Sequence, residues 1–383
     1  MTGLLVHEWV AKAGGSENVL EEFARTFPDS DLQILWNDDP ERFALQTYET
    51  WLARTPLRHS KALSLPFLPL TWRTVRARQD YDWVLVSSHL FAHHVKPRGL
   101  SPEVPKLSYV HTPARYIWQP DLDYRGRNSA VRLASVFLKP LDRARAQEST
   151  KIAANSEFTR ERIRRAWERD AEVIYPPVDT QRIIAGKDWR DHLSGPEMDQ
   201  LEQIPETFLL GASRFVSYKR LDLVIEAGEA TGIPVVLAGR GPEYDALQAK
   251  ARQATVPVAF VDRPSDALLY ALYQQASALV FPAIEDFGIM PVEAMAAGTP
   301  VIVPPMGGAA ESTRLAAGGA IADMESPSSW REAFDAVFKL DRSTLPARAS
   351  QFSSHLFRER VRSWVMPSQP NTKSLDRESE THF

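Results

Sequence analysis

The sequence predicts an α/β protein built as two parallel-sheet domains in series, and three observations carry that expectation. Short apolar runs rich in Val, Ile and Leu alternate with longer stretches of helical periodicity, which is the pattern of βαβ units. The alternation occurs twice, once in each half of the chain. At 383 residues and 44% hydrophobic content, the chain is too long for one ordinary core and can bury two.

In the first series the strand candidates are 3–7, 32–36, 83–87, 106–111, 151–154 and 172–175, with helices expected over 16–27 and 156–168. Each of these helices opens on a serine, Ser16 or Ser156, whose hydroxyl can accept from the free N–H groups of the first turn. The run Tyr175-Pro176-Pro177-Val178-Asp179 follows. Consecutive prolines fix φ and donate no N–H, so neither helix nor central strand continues through them, and a hinge is expected just after. The second series places strands at 208–212, 234–238, 256–261, 278–281 and 301–303, with helices after Lys219, Pro242, Ser265 and Pro291. Between the series, 186–205 is polar and loosely patterned, a connecting segment or small insertion. Near the end, 352–365 reads as an amphipathic helix with Phe357, Val361 and Trp364 on one face. The segment 367–383 has no periodicity and is expected to be disordered.

Charged residues make up 25% of the chain and the formal net charge is -4, so the balance asks for no nucleic-acid partner. The absence of cysteine excludes disulfides, thiolate zinc sites, iron–sulfur clusters and a cysteine nucleophile. The opening Met-Thr-Gly-Leu-Leu-Val-His-Glu is too short an apolar run for a signal peptide. No window approaches the ~20 apolar residues that a bilayer span needs. The expected location is cytoplasmic, soluble or peripheral.

The most informative segment runs from Glu285-Asp286-Phe287-Gly288-Ile289-Met290-Pro291 through Val292-Glu293-Ala294-Met295-Ala296-Ala297 to Gly298-Thr299-Pro300. It reads as a strand end, a glycine loop, a proline suited to a first helical turn, a short helix and a glycine stop. That order aims a helix N-terminus beyond the strand ends, where a diphosphate is the natural occupant. Glu285 and Glu293 bracket this anion site and would repel phosphate, unless their task is to accept hydrogen bonds from sugar hydroxyls. The alternative is one loop glutamate and one first-turn glutamate that merely favours the helix dipole.

This segment, taken with others in order, resembles the retaining family-4 glycosyltransferases of GT-B fold. The others are Gly14-Gly15-Ser16-Glu17, His111-Thr112-Pro113, Asn155-Ser156 with Phe158-Thr159, Pro176-Pro177-Val178-Asp179, Ser213-Arg214 with Lys219-Arg220, Ala238-Gly239-Arg240-Gly241-Pro242, and Gly307-Gly308 with Glu311. The resemblance covers roughly residues 3–366. It implies two Rossmann-like domains facing across a cleft: 1–180 for the acceptor and 181–351 for the nucleotide sugar, with 352–366 crossing back to the first domain. Val6-His7-Glu8-Trp9 and the Phe287 to Pro291 run are most similar to bacterial enzymes of cell-surface polysaccharide synthesis, many of them mannosyltransferases. The implied reaction moves a hexose, mannose from GDP-mannose as first choice, to a glycan or lipid-linked acceptor.

The resemblance also implies roles. Glu285 holds the sugar, Glu293 the ribose, Arg214 and Lys219 the diphosphate, and His111 the sugar from the opposite domain. Gly15 touches acceptor and donor phosphate across the cleft, and Asn155, Gly239, Gly241, Phe287, Gly288 and Ile289 are further donor contacts. An arginine fork and a lysine point charge can together replace a divalent metal at the leaving nucleotide. No Asp-x-Asp pair stands in the expected place, although Asp121-Leu122-Asp123 has the spacing. Transfer is therefore expected to need neither metal nor cofactor. No carboxylate is obviously placed as a nucleophile, so front-face attack is expected, with charge stabilisation and positioning carrying catalysis. Asp262-Arg263 stands where the family usually has a glycine, which leaves GDP or UDP open.

Three other readings share these features. A hydrolase or epimerase of the same fold would turn over donor without acceptor. A non-catalytic sugar-nucleotide-binding protein would be free to lose one of Glu285, Glu293, Arg214 or Lys219. A dinucleotide dehydrogenase is disfavoured, because neither half shows a full G-x-G-x-x-G with an acidic residue at the right distance. Residues 121–169 hold twelve Lys or Arg against seven Asp or Glu. There Arg127, Arg132, Lys139, Arg143 and Arg145 flank Val131, Leu133, Val136, Phe137 and Leu138, a surface expected to meet anionic bilayers if the acceptor is lipid-linked.

Overall fold

Both sheets are built from the β-branched and aliphatic runs, and every strand pairing is parallel. The structure is a computed structural model that describes residues 2–12, 14–118 and 129–367. The first sheet contains β1 (Gly3–His7), β2 (Asp31–Ile34), β3 (Thr47–Glu49), β4 (Trp83–Ser88), β5 (Lys106–Val110), β6 (Lys151–Ala154) and β7 (Glu172–Val173). Their order is β3-β2-β1-β4-β5-β6-β7. The second contains β8 (Leu209–Ala212), β9 (Val235–Ala238), β10 (Val258–Val261), β11 (Ala278–Val280), β12 (Val301–Val303) and β13 (Gly319–Ile321), in the order β10-β9-β8-β11-β12-β13. Central strands such as β1, β4 and β8 are buried along their whole length, as a sheet covered on both faces requires. Strand order reverses between β1 and β4 and again between β8 and β11. At such points loops diverge beyond the strand ends and leave a crevice.

Helices α1 (Gly15–Thr26), α2 (Lys61–Ser64), α3 (Leu68–Thr74), α4 (Arg115–Trp118), α5 (Ser129–Ala146) and α6 (Glu157–Trp167) accompany the first sheet. With the second go α7 (Thr180–Ala185), α8 (Gly195–Glu202), α9 (Asp222–Thr231), α10 (Tyr244–Ala251), α11 (Asp266–Gln275), α12 (Ile289–Ala296), α13 (Gly308–Ala316), α14 (Pro327–Phe338) and α15 (Leu345–Ala349). The last helix, α16 (Ser354–Val365), returns to the first sheet. There Phe357, Val361 and Trp364 share a core with Phe23 and Tyr109, and the Phe23 and Phe357 rings lie 5.5 Å apart. The chain thus passes between the two units twice. The passages are tied together by a bridge between Val178 and Ser353 and by the Val178 N–H donating to the Phe352 carbonyl at 2.9 Å.

Several local expectations need correction. Strands β3 and β13 were not anticipated, being only three residues each and lacking a long apolar run. Ser16 does not cap α1: Gly14 holds the cap position, and the Ser16 hydroxyl donates to Glu17 instead. Ser156 does cap α6, accepting from the Thr159 N–H at 3.0 Å. Helix α12 starts at Ile289 rather than after Pro291. Residues 186–205 contain a regular helix, α8, opened by a reciprocal Ser194–Glu197 capping box. The 368–383 tail, Asp121-Leu122-Asp123 and Arg127 lie outside the described residues. Among the described residues no helix is long and apolar enough to cross a membrane.

Candidate functional site

Beyond the ends of β8 and β9 lies a cleft of about 500 Å³, lined by Ala212, Ser213, Arg214, Lys219, Ala238, Gly239, Arg240, Arg263, Pro264, Leu269 and Met290. The loop after β8 supplies both cations. Gly239 makes this possible: its φ of 137° lies in the left-handed half of backbone space, and a Cβ there would stand 1.9 Å from the Ser213 carbonyl. Gly241 does not line the cleft. It packs against the Phe215 backbone, which a side chain would strike. Arg214 is exposed and donates to the Tyr218 hydroxyl at 3.2 Å. Lys219 is only 7% exposed, and its ammonium is paired with the Glu285 carboxylate.

Helix α12 closes the cleft's other wall. Gly288 turns the chain into it with φ 83° and no side-chain cap, leaving first-turn N–H groups free. Pro291 withdraws one donor, so the Ile289 and Met290 N–H groups stand foremost. Across from them comes the first domain: a Cβ on Gly15 would sit 3.3 Å from Ile289 Cδ1, so the glycine loop after β1 meets the helix start. Phe287 is 4% exposed, and its ring packs at 6.0 Å from Tyr175 and 5.6 Å from Phe352. That ring belongs to the junction of the two units and not to the cleft wall.

Glu293 stands one turn into α12, not in its first turn as expected, because the helix begins two residues earlier than its proline suggested. Its carboxylate meets the Tyr273 hydroxyl at 3.4 Å. Burial, reinforced by the neighbouring Asp266 charge, pushes its pKa up to about 7.

His111 follows β5 and is buried enough that its pKa falls well below the usual histidine range, with His89 and His7 adding to the effect. It is therefore neutral, and its tautomer can be worked out. His7 Nδ1 lies 3.3 Å from the Ser87 carbonyl and 3.0 Å from Ser87 Oγ. A carbonyl only accepts, so His7 Nδ1 carries the proton and Ser87 Oγ accepts from it. The single serine hydrogen is then left for His111 Nε2, 2.9 Å away. His111 consequently presents Nδ1–H as its free donor. Asn155 is buried beside Ser156, whose hydroxyl lies 3.3 Å from its amide oxygen.

Two groups that sequence reasoning left without a role hold the domains together here. Asp286 is paired with Arg115 at 2.5 Å and with Arg162, both from the first domain, while the Ser156 hydroxyl donates to the Asp286 carbonyl at 2.5 Å. Glu311, in the first turn of α13, accepts from the Glu157 N–H at 2.9 Å, the Phe158 N–H at 3.3 Å and the Tyr175 hydroxyl at 2.7 Å. It thus serves the free N–H groups of α6 from across the domain boundary.

Among the described residues two clusters have metal-ligand composition, His7–Glu8–His89 and His93–His94–Asp142. Hydrogen bonds account for both carboxylates. Glu8 accepts from the backbone N–H groups of Leu90 at 2.8 Å and Ala92 at 3.0 Å. Asp142 accepts from His94 at 2.9 Å and from the indoles of Trp118 and Trp167 at 2.7 Å each. These fix the loop after β4 and the meeting of α4, α5 and α6.

The comparisons with known proteins agree with this architecture. Residues 13–182 match the family described as Glycosyltransferase Family 4, and residues 197–353 match Glycosyl transferases group 1. The chain is 32% identical over 183 residues to D-rhamnosyltransferase WbpZ of Pseudomonas aeruginosa, a match covering 44% of this chain and 42% of that one. It is 26% identical over 229 residues to alpha-1,3/1,6-mannosyltransferase alg-2 of Neurospora crassa, covering 49% and 47%. These matches span less than half the length of either relative. Among solved structures, Anabaena Alr3699/HepE in complex with UDP aligns over 95% of this chain and 99% of that one, with TM-score 0.67 at 17% identity. With its first half matching Glycosyltransferase Family 4, its second half matching Glycosyl transferases group 1, and the two joined in the architecture that such structures share, the chain has the two domains of a GT-B glycosyltransferase.

Proposed function

We propose that this protein transfers a hexose, with retention of configuration and without a metal, from a nucleotide-diphosphate sugar to a glycan or lipid-linked acceptor. The observation that carries the reading is the convergence, at the α12 N-terminus, of free backbone N–H groups, Lys219, Arg214 and Glu285 beside a cleft large enough for a nucleotide. GDP-mannose remains the first choice of donor. Relatives named as mannosyl- and rhamnosyltransferases favour it, whereas a structural neighbour binds UDP. A nucleotide-sugar donor and a lipid-linked acceptor would place the reaction in the cytoplasm, at the inner face of the membrane.

In this mechanism the entering diphosphate competes with Glu285 for Lys219. The lysine turns to phosphate, and the released carboxylate accepts from a sugar hydroxyl. The acceptor hydroxyl attacks the anomeric carbon on the face from which the diphosphate leaves. The bond from carbon to phosphate oxygen breaks, and that oxygen takes the acceptor's proton. Lys219, Arg214 and the α12 N–H groups stabilise the charge that develops on the leaving group. From the opposite domain His111 gives its Nδ1–H to the sugar, while Ser87 and His7 keep the ring in the donating tautomer. Glu293 accepts from the ribose.

The test is a turnover assay with GDP-mannose and a polysaccharide acceptor preparation, with the product anomer read by NMR. Release of nucleotide diphosphate only when acceptor is present, with the anomeric configuration kept, is expected. Equal release into water would make the protein a hydrolase, and an inverted product would refute the front-face step.

A further inference from the structure

Residues 50–79 contain six Lys or Arg and no Asp or Glu, in a chain whose net charge is -4. The same segment carries α2 and α3, joined by a single tighter turn, Leu65–Phe67, into one helical run from Lys61 to Thr74. Its inner face is ordinary: Ser64, Leu68, Thr71 and Trp72 are buried, and Leu68 and Trp72 share a core with Trp9 and Trp36 at the ends of β1 and β2. Its outer face is not. The large apolar residues turned to solvent are Leu63, Phe67 and Leu70, at 64%, 43% and 63% exposure, in helical steps of four and three. A helix apolar on both sides buries one face in its own domain and leaves the other for a partner.

The charge around this row identifies the partner. Arg54 and Lys61 are exposed at the end nearest the cleft, where the Lys61 ammonium stands 4.3 Å from the centre of the Trp9 ring. Arg76 and Arg78 are exposed at the far end. Arg58 and Arg73 of the same segment are paired with Asp38 and Glu148, so the exposed Arg54, Lys61, Arg76 and Arg78 carry the charge. An apolar row with these cations at both ends matches an anionic lipid surface, into which the side chains insert while the cations meet headgroup phosphates. The surface anticipated around α5 differs. Val136 and Phe137 are exposed there, but Arg143 is paired with Glu168 at 2.7 Å and Arg145 with Glu148 at 3.0 Å. The side chains of Val131, Arg132 and Leu133 lie outside the described residues.

We propose that the outer face of the Lys61 to Thr74 helical run docks this protein on anionic bilayers, bringing the acceptor-side mouth of the cleft to the membrane. The docking itself does not depend on the transferase reading. The experiment is co-sedimentation of the full chain with vesicles of phosphatidylcholine, with or without phosphatidylglycerol. Binding only to the anionic vesicles, weakened by salt, is expected. The triple variant Leu63→Ser, Phe67→Ser, Leu70→Ser should lose about tenfold or more in vesicle binding. Val136→Ser with Phe137→Ser should bind like wild type. Because the three substituted side chains are exposed, the triple variant should keep its far-ultraviolet circular dichroism and its nucleotide affinity. Wild-type protein that ignores anionic vesicles would overturn the proposal, as would a triple variant that sediments unchanged. Sedimentation velocity supplies the remaining outcome: a wild-type dimer that the triple variant turns into a monomer, without vesicle binding, would make this face a contact between copies of the chain.

Discussion

Glu285 and Glu293 come from one motif but end with different partners, and their substitutions should separate accordingly. Glu285 faces Lys219 and, in the proposed reaction, a sugar that gains positive charge as its bond to phosphate breaks. Glu285→Ala should lower kcat by ~100-fold or more without weakening nucleotide-diphosphate binding, since it also removes the diphosphate's competitor for Lys219. Glu293→Ala should instead raise the donor KM and weaken the free nucleotide, since ribose does not change during transfer. A Glu285→Ala variant with full activity would remove the assignment. Glu293 offers a second readout, because its pKa of about 7 must fall when ribose hydroxyls donate to it. Nucleotide binding at pH 6 should therefore release a proton, measurable as a dependence of calorimetric heat on buffer ionisation enthalpy. Glu293→Gln should abolish the release. The sequence singled out Glu285, Glu293, Arg214, Lys219, Gly15, Gly239 and Gly288, because their spacing and neighbours are local; Gly241 and Phe287, singled out in the same way, pack away from the cleft. It could not announce that Lys219 and Glu285 hold each other, nor the His7–Ser87–His111 chain, whose members lie on β1, on β4 and just after β5.

The loop preceding α12 ties the second domain to helices α4 and α6 of the first beside the cleft, and this contact should set how readily the cleft opens. Asp286 lies between two guanidinium groups, and Arg162 is only 6% exposed at its side chain, held so deep that burial works against its charge. Asp286→Ala would leave that cation buried and unpaired, which costs about 3–5 kcal/mol in comparable sites. The variant should relieve it by opening: small-angle scattering should show a larger radius of gyration, and kcat should fall at least ~10-fold. Unchanged scattering with unchanged turnover would show that this pair does not hold the cleft shut. Strands with long Val, Ile or Leu runs were legible in the sequence, and so was the returning helix α16, because burial on one face leaves a periodic imprint. The three-residue edges β3 and β13 left none, and α8 is mostly polar at the surface. The domain latch was invisible for another reason: Arg115 and Arg162 stand 171 and 124 residues from Asp286 along the chain, and nothing local marks them as its partners.

Across the whole molecule, the first domain concentrates neutral buried histidines, and this sets its response to acid. Burial lowers the pKa of His7 and of His94 to about 4, and that of His111 well below the usual range. In the unfolded chain each histidine titrates near its ordinary value of about 6.5. Between about pH 6.5 and 4 the unfolded state thus binds protons that the folded state refuses, so stability falls as pH drops through that window. Asp142, held well below the carboxylate range by His93 and His94 against the effect of its burial, extends the loss to still lower pH. Glu293, raised to about 7, works in the opposite sense but is one group against three histidines. Urea midpoints measured from about pH 6.5 to 4.5 should therefore decline, and a flat profile would contradict the assignment of neutral buried histidines. The proposed reaction requires that the α12 N-terminus, with Arg214 and Lys219, bind a nucleotide diphosphate. Calorimetric titration with GDP-mannose, UDP-glucose, UDP-N-acetylglucosamine and a dTDP-sugar tests it most directly. One nucleotide class should bind the wild-type protein saturably, and Arg214→Ala combined with Lys219→Ala should reduce that affinity at least ~100-fold. Failure of all four donors to bind, or binding that the double substitution leaves unchanged, would contradict it.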